Sequence, residues 1–295
     1  MTLKAFLFIV ASALFHVFWN SSLKMCRDKT TSVFLMMTVT AGLLGGATLY
    51  LYPIKQLFSP SVITAALGAG FFFFLYQHFV ALAYEKGDLT LVYPLTVTGP
   101  VYIVIWSYLL IGERITLTGA FGIFLIIYGA VTIHTGNFKI IPNRLATFDR
   151  KKVGFMENGV LFALAAAFFY SFGALADKIG VMTGNIMIYT FHLSLYMTLF
   201  HLLRIVGQHH NNKIMVEIKH NPVPIISGGI VMFFSFITFR IGLEHALVSY
   251  ASALRQVSTL FGILIGFFIF REQITLKRVI SSLFIVSGAV LIKLG

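Results

Sequence analysis

The chain repeats itself at a fixed spacing. Adding 159 to a residue number within 85–136 returns the same residue type at twelve of 52 positions, with no gap. Glu85 returns as Glu244, Leu95 as Leu254 and Glu113 as Glu272. The run Ile115-Thr116-Leu117 returns as Ile274-Thr275-Leu276, and Gly129-Ala130-Val131 as Gly288-Ala289-Val290. Most matches cluster at one polar turn and the apolar stretch behind it. A chain made of two copies of one unit is constrained to fold as two like halves that bury their apolar surface against each other.

Both copies are strongly apolar. A mean hydropathy of +0.89, with 58% hydrophobic and 11% charged residues, excludes an ordinary soluble domain. A membrane-crossing helix takes about 20 apolar residues. Roughly ten such spans use most of the 295 residues and leave loops too short for a separate soluble domain. The apolar stretches place helices at 3–23, 32–52, 61–83, 89–111, 116–135, 158–178, 185–206, 223–244, 248–270 and 275–294, with a polar loop at 208–221. Five helices per copy is an odd number, so two copies in series lie in opposite orientations. The expected fold is an all-α membrane protein, with ten transmembrane helices as two inverted five-helix repeats around a central cavity. The first repeat is 1–136, a polar basic linker is 137–157, and the second repeat is 158–295.

The single cysteine, Cys26, excludes an internal disulfide and a thiolate metal cluster. Lys4, the apolar run after it and Ala11-Ser12-Ala13 imitate a signal peptide, but the run continues through that point and reads as the first membrane helix. The net charge of +12 sits in loops, and no basic, aromatic-laced module is present, so nucleic acid is excluded and anionic membrane lipid is the expected partner of this charge. Of 22 Lys and Arg residues, Lys4, Lys55, Arg114, Lys178 and Lys293 lie on one face, Arg240 and Arg255 lie within helices, and the other 15 share the opposite face. By the positive-inside rule that basic face is cytoplasmic and both termini are outside.

Within the helices, Arg255 is the sharpest candidate. A guanidinium at that depth is costly unless it meets a partner or a wet cavity. It either clamps a substrate carboxylate or phosphate, or pairs with Asp177, Glu244 or helix-end carbonyls and locks two helices. Arg240 precedes Glu244 by one helical turn, which lets the two meet as an ion pair. Asp177, next to Lys178, is a surface ion-pair partner or a buried proton acceptor. These three are gating or ion-pair candidates. Glu113 and Glu272 occupy equivalent turns before apolar helices, where a carboxylate complements the helix dipole, so they read as a structural repeat motif. His16, His78, His192 and His201 lie within helices as structural groups or proton relays, and Gln77-His78 and His192 are the cavity candidates among them. Trp19, Tyr93, Tyr170 and Tyr250 sit beside small or polar residues and can stack on a ring, cage a quaternary amine or anchor at the interface. Pro94 and Gly99-Pro100 interrupt the fourth helix. His209, His210 and His220 lack acidic or thiol partners at ligand spacing, so no metal site is expected.

Gly112-Glu113-Arg114-Ile115-Thr116 followed by Gly129-Ala130 resembles the end of an EamA domain, and Arg271-Glu272-Gln273-Ile274-Thr275 with Gly288-Ala289 resembles it again. Trp19-Asn20 with Lys24 resembles that family's opening, and Ser249-Tyr250 through Arg255-Gln256 resembles its ninth helix. Across the whole chain this is similar to the EamA-like transporters of the drug/metabolite transporter superfamily. The resemblance implies a bacterial inner-membrane carrier of small metabolites. It implies a central cavity lined by helices 1–4 and 6–9, with helices 5 and 10 peripheral. The substrate-binding candidates on those lining helices are Arg255, Trp19, Asn20, Gln77, His78, Tyr93, Tyr170, His192 and Tyr250. Many relatives are drawn with both termini in the cytosol, opposite to the orientation this chain's charges predict.

The expectation is a secondary active transporter, an exporter by family analogy, working by alternating access. Helix-embedded charge is mostly cationic, which points to a small organic metabolite bearing an anionic group, such as an amino acid or organic acid. The alternative is a carrier of cationic or quaternary amines or drugs, using an aromatic cage with Glu244 or Asp177. An alternative of another class is a non-transporting membrane partner subunit or an enzyme. No catalytic constellation, phosphate-binding loop or nucleotide-binding domain is present, which argues against an enzyme and against ATP-driven transport. No cofactor is implied. Coupling falls to a proton or other ion, and the sequence leaves monomer and homodimer both open.

Overall fold

A computed structural model of the chain describes residues 1–87, 92, 95–135, 159–207, 211–268, 271 and 275–295. Among the described residues every regular element is a helix. Tyr93, Pro94, Glu272, His209, His210 and the linker 137–157 lie outside them.

Local chemistry sets several helix ends. The Thr2 side chain accepts the Ala5 amide at the start of α1, Leu3–Met25. Asp28 does the same for Thr31 at the start of α2, Lys29–Leu51. A single turn, α3 (Ile54–Leu57), leads to α4, Pro60–Lys86, which opens on a proline where no backbone donor is needed. α5 spans Gly99–Ile111 and stops at Gly112, whose φ of 69° is left-handed. α6 is Leu117–Thr135, α7 Val160–Thr183 and α8 Ile186–Gly207. α9 is Asn211–His220, α10 Pro222–Glu244 and α11 Val248–Leu254. A 3₁₀ turn at Arg255–Val257 leads into α12, Ser258–Phe268. α13, Leu276–Leu294, opens on Thr275, whose side chain accepts the Arg278 amide.

Seven helical stretches among the described residues are long and apolar enough to cross a membrane: the α1, α2, α4, α7, α8 and α10 helices and the run Val248–Phe268. Gly99–Ile111 and Leu117–Ile133 are shorter apolar helices. The chain is a multi-pass membrane protein.

Besides the single turn α3, which falls between the expected helices, two elements depart from the sequence reading. The stretch 208–221, expected as loop, contains α9. Its low hydropathy hides it, and tertiary bonds fix it: the Glu217 carboxylate accepts the Asp28 amide at 2.7 Å, the Ser32 hydroxyl at 3.1 Å and the Asn221 side-chain amide at 2.7 Å. The ninth predicted helix is not continuous, because the 3₁₀ turn breaks it at Arg255.

The packing exchanges the two halves. α1 packs on α10 and α4 on α7, so the first long helix of each repeat lies on the third of the other. α2 meets α10 as α8 meets α4, and α6 packs on α13. The last pair shows the symmetry residue by residue. A Cβ on Gly122 would fall 2.7 Å from the Gly288 oxygen, and one on Gly129 would fall 2.6 Å from the Ser281 oxygen. Gly288 is the 159-residue partner of Gly129, and Ser281 that of Gly122. Contacts that climb one helix while descending the other mean that α6 and α13 run antiparallel. Glycine at the crossing lets the backbones touch, as tight membrane helix pairs require.

Candidate functional site

The break in the ninth helix places Arg255 beside α1. The Arg255 Nη2 donates to His16 Nδ1 at 3.3 Å, and Trp19 Nε1 donates to the same nitrogen at 3.2 Å. An atom that accepts from two donors carries no proton, so His16 is the neutral tautomer protonated on Nε2. The guanidinium lies over the Phe239 ring, 4.4 Å from its centroid. Tyr170 and Tyr76 are within electrostatic reach of Arg255 from α7 and α4, and their rings sit 5.1 Å apart. Gly99 lets α5 press against Tyr170, where a Cβ would overlap the ring. Arg255, His16, Trp19, Tyr76 and Tyr170 are all partly buried rather than sealed. Among the described residues no carboxylate forms a salt bridge with Arg255. The contacts of the guanidinium are a ring face and a neutral imidazole, and among the described residues no carboxylate is ion-paired with it.

Next to Phe239 on α10, Arg240 forms a buried ion pair with Asp177 of α7. Arg240 Nε donates to Asp177 Oδ1 at 2.9 Å and Nη2 to Oδ2 at 3.3 Å, with side chains 5% and 2% exposed. The expected meeting of Arg240 with Glu244 does not occur. Arg240 points into the core at Asp177, while Glu244 is exposed at the helix end, 3.3 Å from His245 Nε2. Asp177 is thus a core partner, not a surface one. Neither Asp177 nor Glu244 forms a salt bridge with Arg255.

A polar clamp holds the junction between α10 and α11. Lys178 Nζ donates to the carbonyls of Leu243 and Ala246, each at 2.9 Å. From the other side, Glu113 accepts the Val248 amide at 2.8 Å, the Ser249 amide at 3.4 Å and the Ser249 hydroxyl at 3.2 Å. Glu113 therefore caps a helix of the opposite repeat, where its charge meets the positive helix end. Its repeat partner Glu272 lies outside the described residues, as does Tyr93.

The remaining candidates separate. Trp19 and Tyr170 join the Arg255 group. Asn20 is exposed and donates to the His16 carbonyl at 2.6 Å. Tyr250 is buried, and its hydroxyl accepts the Thr116 amide at 3.1 Å, which fixes the turn before α6 instead of serving the Arg255 group. His192 is buried and its Nε2 donates to the Leu57 carbonyl at 2.7 Å, so it anchors α3. Gln77 pairs with His201 at 2.5 Å, and His78 stacks beside Phe74, on the α4–α8 seam. His16, Phe239 and Tyr76 were not sequence candidates for the site. The i,i+3 spacing of His16 and Trp19 was the one legible signal, because it puts them on one face.

The sequence model of the EamA-like transporter family matches residues 3–135 and 157–294. A solved structure described only as "Crystal structure of protein" superposes with a TM-score of 0.73 over 99% of this chain and 97% of its own, at 19% identity. That identity speaks to the fold alone. No curated protein matches the chain.

Proposed function

We infer from one premise, that the chain belongs to the EamA-like transporter family of the drug/metabolite transporter superfamily, and from the group around Arg255, that this protein is a secondary carrier of a small organic anion. The observation that carries the reading is a guanidinium deep in an apolar bundle, faced by rings and a neutral histidine and, among the described residues, by no ion-paired carboxylate. A carboxylate matches its planar fork, and the Trp19 and Tyr170 rings give an organic body a surface to lie on. An amino acid or organic acid has both parts. A quaternary amine would find the same rings but would sit against a fixed positive charge, which disfavours that reading.

The architecture belongs to the same proposal. Ten membrane helices form two inverted five-helix repeats, 1–136 and 158–295, joined by a linker at 137–157. The antiparallel crossing of α6 and α13 supports inversion. The clamp of Lys178 and Glu113 on the α10–α11 junction holds one end of the bundle shut. The break at Arg255 supplies a hinge, because a mid-helix 3₁₀ turn exchanges its bonds easily. Rocking of the repeats about this hinge gives alternating access, with export across a bacterial inner membrane, driven by the metabolite's own outward gradient, as the direction the family suggests. The charge distribution supports cytoplasmic basic loops and external termini.

The test is flux into liposomes holding only this protein. The probes are radiolabelled glutamate, phenylalanine, citrate and a sugar phosphate, set against choline. Saturable uptake of at least one anionic or zwitterionic probe, lost in folded Arg255→Gln, is the expected result. Uptake of choline alone, or no flux of any probe, overturns the reading.

A further inference from the structure

His16 holds the one hydrogen-bond acceptor shared by Arg255 and Trp19, and that sharing gives it a second role. Resting on the anion-carrier reading above, we propose that His16 Nδ1 is the binding site of the coupling proton, so that one proton travels with each monoanion held by Arg255. In the present conformation the Nδ1 lone pair takes both the Arg255 Nη2–H at 3.3 Å and the Trp19 Nε1–H at 3.2 Å. A proton arriving from water bonds to that lone pair, and the ring becomes an imidazolium with donors on both nitrogens. Both hydrogen bonds are then lost. The guanidinium is released from α1 and turns its fork to the arriving anion. Two cations now stand side by side, and an anion between them removes their repulsion. Proton and anion therefore assist each other's binding, by the reciprocity of linked sites. When the anion leaves on the far side, the repulsion returns, the proton leaves Nδ1, and the two donors close on the lone pair again. The carried set, one proton and one monoanion, has no net charge.

The surroundings suit this role. From the 3₁₀ turn, Arg255 faces His16 directly. On α10, the charge of Arg240 is matched by Asp177, and Glu244 lies at the exposed helix end. The one titratable group of α11, Tyr250, is bonded at Thr116, and α12 carries none. On α2, Lys29 is held by the Leu23 and Lys24 carbonyls and Tyr50 is exposed at the far end. Among the described residues, no carboxylate or other base on these elements contacts His16.

Two measurements test the proposal. The chain has two tryptophans, so Trp106→Phe leaves Trp19 as the sole emitter. In nanodiscs holding the carried anionic probe, the Trp19 emission should show one reversible single-proton transition between pH 8 and pH 5, absent from His16→Gln and, should that variant fold poorly, from His16→Asn. In liposomes, an inward pH gradient should raise the steady-state accumulation of whichever anionic probe from the flux panel is carried by about tenfold per pH unit, the one-proton limit. His16→Gln should equilibrate the probe without accumulating it. A Trp19 transition that survives in His16→Gln, no transition at all, or accumulation unchanged in that variant overturns the proton site. None of these touches the anion reading, which stands or falls on whether Arg255→Gln loses the flux.

Discussion

Arg240 and Asp177 meet within the second half of the chain in a two-pronged ion pair sealed from water, the first from α10 and the second from α7. Arg240 also donates to the Phe236 carbonyl at 3.2 Å and lies over the rings of Phe236 and Tyr189. A buried charge that loses its partner is left uncompensated. Asp177→Ala should lower stability by about 3–5 kcal/mol. Replacing both, as Asp177→Leu with Arg240→Met, should restore most of it. Thermal unfolding of the three variants in detergent checks this, and a double variant as unstable as the single one would contradict it.

The clamp at the α10–α11 junction makes a separate prediction. Glu113→Ala removes an acceptor from two amides and a hydroxyl, and should lower stability by about 1–2 kcal/mol. Glu113→Gln keeps an acceptor oxygen and should lose less. On the alternating-access proposal, in which this clamp closes one end of the bundle, both variants should also raise the labelling rate of a cysteine placed at Ala246. Unchanged labelling would separate the clamp from any gating role.

The glycine crossing of α6 and α13 predicts matched effects in the two repeats. Gly288→Val places a Cβ 2.5 Å from the Gly122 oxygen, and Gly122→Val places one 2.7 Å from the Gly288 oxygen. Each should cost about 1–3 kcal/mol from overpacking. Gly42→Val, at a position with nothing within 4 Å, should change stability little. Melting temperatures of the three variants decide it.

Asp28 ties the α1–α2 turn to α9 through Lys213, 3.0 Å away. Burial pushes the carboxyl up, but the Thr31 hydrogen bonds and the Lys213 ammonium outweigh it, so the group is held below the usual carboxylate range. Its folded pKa is depressed, so its contribution to stability is present above the unfolded value of about 3.9 and is lost as pH falls through the folded value. Wild type should therefore exceed Asp28→Asn in melting temperature at pH 7, and the gap should close below about pH 4. A gap that persists at low pH would mean the effect is not electrostatic.

The helix positions were legible because the apolar runs are long, whereas the Asp28 cap that starts α2 at Lys29, three residues before the expected 32, was not. The duplication was legible because Gly129 and Gly288 must both be small for one crossing. Side-chain partners were harder. Arg240 and Glu244 are one turn apart, yet the stronger partner, Asp177, is 63 residues away and becomes visible only when α7 packs on α10. Tyr250 reads like a cavity aromatic, but its hydroxyl is taken by Thr116 from the other repeat. The helix α9 is invisible to hydropathy because tertiary bonds to Glu217 hold it. The Arg255 group was half legible: depth in an apolar helix marks the arginine, whereas its contact with His16 joins residues 239 apart in sequence.

The central claim is that Arg255 receives an anionic group. The most direct measurement is thermal stabilisation of the purified protein by amino acids, organic acids, phosphate esters and quaternary amines, in wild type and in folded Arg255→Gln. A ligand that binds only the folded state raises stability by mass action, by about 2.7 kcal/mol at a hundred times its Kd. A shift with one or more anionic or zwitterionic compounds, lost in Arg255→Gln, is the expected result. A shift with quaternary amines alone, or an anion shift that Arg255→Gln retains in full, would contradict it.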